Sequence, residues 1–220
     1  MKVLKFGGTS VGSSKNINSV INILENYGET DAIVCVVSAV GGITDKLLLA
    51  GKQAQSKDRA FVDTFSGIKE RHYTIIKELN PTNNKGILNY IDDRLSALYS
   101  LLEGIYLINE LSPKTSDKLV SYGELLSSYI IAETMKNRGL SAERKNSHEL
   151  IITNSNFTKA EVDYKITDKN IQDYFKSASQ QITILPGFIS KSKTENKQRL
   201  DAVVQTLLLP LLRRRYMLSN

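Results

Sequence analysis

Continuous apolar runs at residues 2–6 and 31–38, rich in Val and Ile and bounded by turn residues, predict buried parallel strands covered on both faces. Between them, a segment of about 16 residues starting at Val11 places Ile17, Val20, Ile21 and Leu24 at helical spacing, so the chain opens as a βαβ unit. After Gly41-Gly42 a helix is expected near Thr44, whose hydroxyl suits an N-cap, and helical patterning then continues with breaks through the Pro81 region. Ile87, Ile91, Leu95, Leu98, Leu102, Ile105 and Ile108 recur every three or four residues, as one buried helix face requires, and Pro113 is expected to end that helix. A further helix from about Thr115 to Arg138 closes with Gly139, and residues 140–145 and 181–186 predict two more strands, the second stopping at Pro186-Gly187. Strand and helix alternate without an internal repeat or long linker, so the expected fold is an α/β sheet with helices on both faces. In such sheets ligands bind beyond the carboxyl ends of the strands.

Composition narrows the class. With 220 residues, 41% hydrophobic and 24% charged, the chain is neither collagen-like, disordered nor disulfide-stapled. The net charge of +6 invites a nucleic-acid reading, but Lys191, Lys193, Lys197, Arg199, Arg213, Arg214 and Arg215 against Glu195 and Asp201 account for +5 of it. The first 190 residues are nearly neutral, whereas a nucleic-acid binder carries its basic face on the folded part, so no nucleic-acid partner is expected. The N-terminus has no apolar signal region and no uncharged apolar run reaches the length of a membrane span, so a cytoplasmic protein with no membrane partner is expected. Cys35, the one cysteine, lies inside Ile33-Val34-Cys35-Val36-Val37 and reads as a small buried hydrophobe.

Three strings carry candidate chemistry. Lys5-Phe6-Gly7-Gly8-Thr9-Ser10 sits at the carboxyl end of the first strand: its glycines let backbone N–H groups approach an anion, the helix start adds partial positive charge, and Lys5 adds a full one. It is not a Walker loop, because the lysine precedes the glycines, and on its own the string is equally that of a strand-end lysine beside an ordinary glycine turn. Ser38-Ala39-Val40-Gly41-Gly42-Ile43-Thr44-Asp45 repeats the geometry after the second strand, so two glycine turns on adjacent strands are expected to face one crevice. Ser121-Tyr122-Gly123-Glu124 puts a glycine inside a helix, where it costs about 1 kcal/mol relative to alanine, which suggests that something approaches that backbone closely. Taken alone, Glu124 is an ordinary solvated helix carboxylate. His72 and His148 have no second ligand at metal-binding spacing and are expected to be structural or solvated, with no metal site.

Together these strings resemble the aspartate kinases of the amino acid kinase fold, most of all the kinase part of forms fused to homoserine dehydrogenase. The resemblance extends in family order to Ser121–Ser128, Glu149-Leu150-Ile151-Ile152-Thr153 and Leu185-Pro186-Gly187-Phe188-Ile189, and so spans residues 1–190. It implies a three-layer αβα, carbamate kinase-like fold with a mainly parallel sheet, and transfer of the ATP γ-phosphoryl group to the side-chain carboxylate of L-aspartate, with Mg²⁺ on the nucleotide. By the same resemblance Lys5, Gly7 and Gly8 are catalytic. Lys5, Gly7, Gly8, Ser10, Gly41 and Gly42 bind ATP phosphates, and Ser38, Thr44 and Glu124 bind aspartate, Glu124 pairing its ammonium group. The intact enzyme is then expected to be homo-oligomeric. Asn146 and Asn154 depart from the resemblance, standing where acidic residues are expected. Sister kinases acting on glutamate or a nucleotide, and a non-catalytic binding module on the same fold, are the rivals.

Residues 1–190 therefore read as the N-terminal part of a kinase catalytic domain, and 191–220 as an aberrant basic and apolar tail. Where the family continues to Gly-Arg-Gly-Gly-Ser-Asp, this chain has Leu200-Asp201-Ala202-Val203-Val204-Gln205-Thr206. Those residues can be encoded by a Leu codon ending in G followed by GAC GCG GTG GTT CAG ACT, and reading one base earlier restores Gly-Arg-Gly-Gly-Ser-Asp. The tail is accordingly expected to be a shifted frame, leaving a C-terminally incomplete fold with little or no kinase activity.

Overall fold

The computed structural model describes residues 2–28, 30–153 and 162–187, together with the backbone of two further strands within 189–199. Strand β1 (Lys2–Phe6), helix α1 (Ser14–Gly28) and strand β2 (Ile33–Val37) form the opening βαβ unit. Four helices follow: α2 (Ile43–Gln55), α3 (Phe61–Leu79), α4 (Lys85–Ile108) and α5 (Pro113–Asn137). The chain then runs through β3 (Ala142–Arg144), α6 (Ser147–Leu150), β4 (Ile152–Thr153), α7 (Tyr164–Ser177), β5 (Ile182–Pro186), β6 (Ile189–Ser192) and β7 (Lys197–Arg199).

The main sheet has the order β1-β2-β5-β3, with every pair parallel. Its strands alternate between two apolar layers, as a pleated strand must. Ile33, Cys35, Val37, Ile182 and Ile184 pack with α1 to α5, while Val3, Val34 and Leu185 pack with Leu150, Ile151 and Ile171 on the other face. Helices cover both faces, giving the expected three layers. Strands β4, β6 and β7 form a second, smaller sheet. Cys35 is fully buried, and burial pushes its thiol pKa well up, in keeping with a packing role.

Two expected boundaries need correction. Pro113 does not end the long helix: α4 stops at Ile108, capped by Asn109 in the left-handed conformation (φ 59°), and Pro113 opens α5 behind the N-cap Ser112. Proline fits a first helical position, where its missing N–H has no partner to lose. Thr44 is not an N-cap either. Helix α2 begins at Ile43 behind Gly42 (φ 80°), without a side-chain cap. Gly139, also at φ 80°, follows α5 as expected. Residues 201–220, the greater part of the proposed shifted-frame tail, lie outside the described residues, as does Asn154.

Candidate active site

Parallel pairing sets Lys5 beside Val36 and Phe6 beside Val37, and Ser38 donates its N–H to the Phe6 carbonyl at 3.1 Å. Both glycine turns therefore leave the sheet at its carboxyl edge, side by side. In the first turn Val11 N–H donates to the Gly7 carbonyl and Gly12 N–H to the Thr9 carbonyl, each at 3.2 Å, while the Asn16 side chain donates to Thr9 O at 2.8 Å. The N–H groups of Gly8, Thr9 and Ser10 meet no acceptor among the described residues. Successive unused amides of this kind form a concave seat for an anion. Lys5, Gly7, Thr9 and Ser10 are exposed around it.

The second turn repeats the arrangement. Ile43 N–H donates to Val40 O at 2.9 Å and Lys46 N–H to Gly42 O at 3.2 Å, and the uncapped start of α2 leaves its N-terminal dipole facing the same edge. The two turns touch backbone to backbone. A Cβ on Gly8 would lie 3.2 Å from Ala39 O and 3.6 Å from the Gly41 Cα, and one on Gly41 would lie 3.1 Å from Gly8 O. Gly7 differs, because a Cβ there would meet nothing within 4 Å.

Helix α5 crosses beneath this junction. A Cβ on Gly123 would sit 2.7 Å from the Ala39 Cβ, and the Ser127 hydroxyl donates to the Ser38 carbonyl at 2.7 Å. Glu124, between these two contacts in sequence, is only 5% exposed and so is not the solvated carboxylate that its motif alone would suggest. The fold thus brings Lys5, Gly7, Gly8, Ser10, Ser38, Gly41, Gly42, Thr44 and Glu124 to one edge of the sheet, from three elements. Farther along the same edge, the Ser147 hydroxyl donates to Pro186 O at 2.7 Å and Gly187 N–H to Val37 O at 2.8 Å.

Some polar residues of this region were not read from the sequence. Arg144, at the carboxyl end of β3, donates from Nε to the Ser128 hydroxyl at 2.9 Å and lies against Tyr90, which stacks on Tyr129 with ring centres 3.7 Å apart. Burial pulls its guanidinium pKa down, partly offset by the neighbouring tyrosines. Arg71 reaches the first glycine turn from α3, donating to Gly12 O at 2.6 Å. A lone charge in a helical or strand pattern gave no signal for either.

The remaining candidates fall elsewhere. His72 is fully buried in α3, its Nδ1 donating to Ile68 O at 2.8 Å, so it is structural. Among the described residues no three His, Cys, Asp or Glu side chains converge as a metal site, and no helix is long and apolar enough to cross a membrane. A cavity of about 130 Å³ lined by Ala32, Ile33, Phe175, Ala178, Gln180, Gln181 and Thr183 opens at the opposite, amino end of the strands and holds no ionisable group.

The sequence model of the Amino acid kinase family matches residues 1–203. Among curated relatives, the chain is 34% identical over 196 residues to the chloroplastic Aspartokinase 1 of Arabidopsis thaliana, covering 86% of this chain and 33% of that protein. It is 27% identical over 192 residues to the chloroplastic Bifunctional aspartokinase/homoserine dehydrogenase 2 of the same plant, covering 86% of this chain and 21% of that protein. The chain thus spans a third or less of the length of these relatives. Among solved structures it is similar to E. coli aspartokinase III in complex with aspartate and ADP, with a TM-score of 0.86, 24% identity, and coverage of 100% of this chain and 48% of that one. At that identity the likeness speaks for the fold, a three-layer α/β kinase fold.

Proposed function

Because the chain belongs to the amino acid kinase family, we propose that its site is that of an aspartate kinase, which transfers the γ-phosphoryl group of ATP to the side-chain carboxylate of L-aspartate and yields 4-phospho-L-aspartate. The contact of Gly8 with Gly41, with Gly123 seated on Ala39 beside them, carries this reading, since it makes one electropositive edge from three separate strings. A carboxylate oxygen forms the new bond to the γ-phosphorus as the β–γ bridging P–O bond breaks, and ADP leaves with that electron pair. An aspartate side chain is already ionised at neutral pH, so the acceptor needs no general base. Two anions must instead be brought together, which is a task of positioning and charge neutralisation.

Lys5 neutralises the transferring phosphoryl group, and the N–H groups of Gly7, Gly8, Gly41 and Gly42, with the Ser10 hydroxyl, hold phosphate oxygens. Ser38, Thr44 and Glu124 orient the amino acid, Glu124 by pairing its ammonium group. Buried at the junction, Glu124 makes that pair in a low-dielectric setting, where it discriminates most strongly. Mg²⁺ would enter on the nucleotide phosphates and share their charge. The same proposal places the enzyme in lysine, threonine and methionine biosynthesis, in the cytoplasm.

Because the shifted frame is expected to leave the chain as it stands with little or no turnover, the test is acyl-phosphate formation by the protein with the alternative frame restored, with aspartate, glutamate and a nucleoside monophosphate as acceptors. Aspartate is expected to be the acceptor, with Lys5→Ala lowering turnover at least 100-fold and Glu124→Gln raising the KM for aspartate. Equal turnover in the Lys5→Ala protein, or preference for another acceptor, overturns the assignment. A second reading, a non-catalytic module of the same fold, is favoured by Leu200–Thr206 standing in place of the family's Gly-Arg-Gly-Gly-Ser-Asp. It predicts aspartate and ATP binding by calorimetry without turnover, and turnover on restoring the alternative frame.

A further inference from the structure

We propose that Arg71 of α3 is a positioning residue for the phosphate-holding turn, fixing the residue 7–13 backbone in the shape whose unused N–H groups accept an anion; this rests on the phosphate site proposed above. The turn is exposed at Gly7, Thr9 and Ser10. Holding each such residue in one backbone conformation costs conformational entropy. Its internal bonds, Val11 to Gly7 and Gly12 to Thr9, are long at 3.2 Å and do not tie it to the rest of the molecule.

Polar ties supply the anchorage. Asn16 fastens the Thr9 carbonyl from within α1. Helix α3, some 60 positions away in sequence, supplies two more: Arg71 Nη2 donates to Gly12 O at 2.6 Å, and Glu78 accepts from the Ser14 hydroxyl at 2.5 Å. Arg71 and Glu78 are seven residues apart, two helical turns, and so lie on one stripe of α3. That stripe grips the end of the turn and the start of α1 together.

The Arg71 tie has a direction that matters for an anion. Gly12 sits at the crossing of the turns, where a Cβ would meet Gly8 O and Thr9 O at 3.2 Å. A charge-assisted bond draws the Gly12 carbonyl toward α3. The Gly7 and Thr9 carbonyls, at the negative ends of the peptides that carry the Gly8 and Ser10 N–H groups, are taken by donors of the protein, and Arg71 holds the Gly12 carbonyl where the turn ends. A lysine carries the same charge but presents one compact ammonium on a flexible stem, so it holds a carbonyl less firmly than the planar guanidinium fork.

The test compares wild-type, Arg71→Ala and Arg71→Lys proteins. Hydrogen exchange of the Val11 and Gly12 amides, the hydrogen-bonded ones of the turn, is read together with calorimetric affinity for MgADP and for L-aspartate, and with Tm. Arg71→Ala is expected to speed exchange in the turn at least tenfold and to weaken MgADP five- to tenfold, leaving aspartate affinity within twofold and Tm nearly unchanged. Arg71→Lys is expected to fall between. Unchanged exchange in the turn overturns the proposal, as does a parallel loss of MgADP affinity, aspartate affinity and Tm, which marks a general structural role. Should wild-type protein bind no MgADP, the phosphate site itself fails, and exchange in the turn still decides whether Arg71 sets its shape.

Discussion

Gly123→Ala separates close packing at the candidate site from ordinary helix preference, because the two push stability in opposite directions. An alanine in a helix interior is worth about 1 kcal/mol over glycine. Here the added methyl would lie 2.7 Å from the Ala39 Cβ and 3.4 Å from Ile43 Cγ2 and Leu47 Cδ1. Carbon atoms rest at about 3.5–4.0 Å, so roughly 1 Å of movement is required. Ala39 has no rotamer with which to yield, and the turn it belongs to is wedged against Gly8, so α5 must move. A shift of that size breaks the 2.7 Å bond from Ser127 to the Ser38 carbonyl. Overpacking costs about 1–3 kcal/mol and the lost bond about 1 kcal/mol more, so the clash wins by roughly 1–3 kcal/mol. Glu124 is carried away from the turns in the same movement.

Gly104 in α4 is the control, since a Cβ there meets nothing within 4 Å. Denaturant unfolding is expected to show Gly104→Ala stabilised by about 0.5–1 kcal/mol and Gly123→Ala destabilised. Aspartate affinity is expected to fall at least tenfold in Gly123→Ala alone. If both substitutions stabilise the protein equally, helix α5 does not press on the second turn, and the reason for placing Glu124 in the site is gone.

Two further outcomes are expected. Burial holds His72 neutral, with its pKa lowered to about 4 despite its bond to Ile68, and nearby Arg71 adds to the shift. The folded protein therefore refuses a proton that the unfolded chain takes up below about pH 6.5, so stability is lost as pH falls from about 6.5 toward 4, by up to about 3 kcal/mol; the difference between wild-type and His72→Leu midpoints across that range should track this, and parallel pH curves would refute it. Ser127→Ala leaves the Ser38 carbonyl without its donor and is expected to cost about 1–3 kcal/mol, read as a lowered denaturant midpoint with unchanged slope, whereas an unchanged midpoint would mean that the bond holds nothing.

Where the sequence was legible, a single local rule was at work. Ile33–Val37 could only be a buried strand, and Gly123 inside a helix pattern announced the close approach that Ala39 makes. The misreadings came where one residue type serves two rules. Pro113 suits a helix start as well as a stop, and the decision was made four residues earlier by Asn109. Thr44 looked like a cap, but Gly42 takes the left-handed turn, because the backbone of the second turn must double back against Gly8. Helix α7 went unread because it buries little beyond Thr167 and Ile171. The placing of β5 between β2 and β3, and the reach of Arg71 to Gly12, are long-range pairings that no local pattern encodes.

The glycines of the first turn show how fold and function are written into the same string. Gly8 is favoured by the fold, since a Cβ there would lie 3.2 Å from Ala39 O, and that backbone would have to give way. Gly12 is favoured likewise, with Gly8 O and Thr9 O each 3.2 Å from where its Cβ would be. Gly7 is not: among the described residues nothing lies within 4 Å of where its Cβ would be, and it has no left-handed φ. Gly7 thus eases no contact among the described residues, which is equally true of Gly104 in α4, so what distinguishes it is its position. The room over Gly7 opens beside Lys5 and the unused amides of Gly8 to Ser10, which is where a phosphate would rest. Violations of local rules collect at functional sites, and at the candidate edge a helix start behind a left-handed glycine without a side-chain cap, a helical glycine and a buried carboxylate meet.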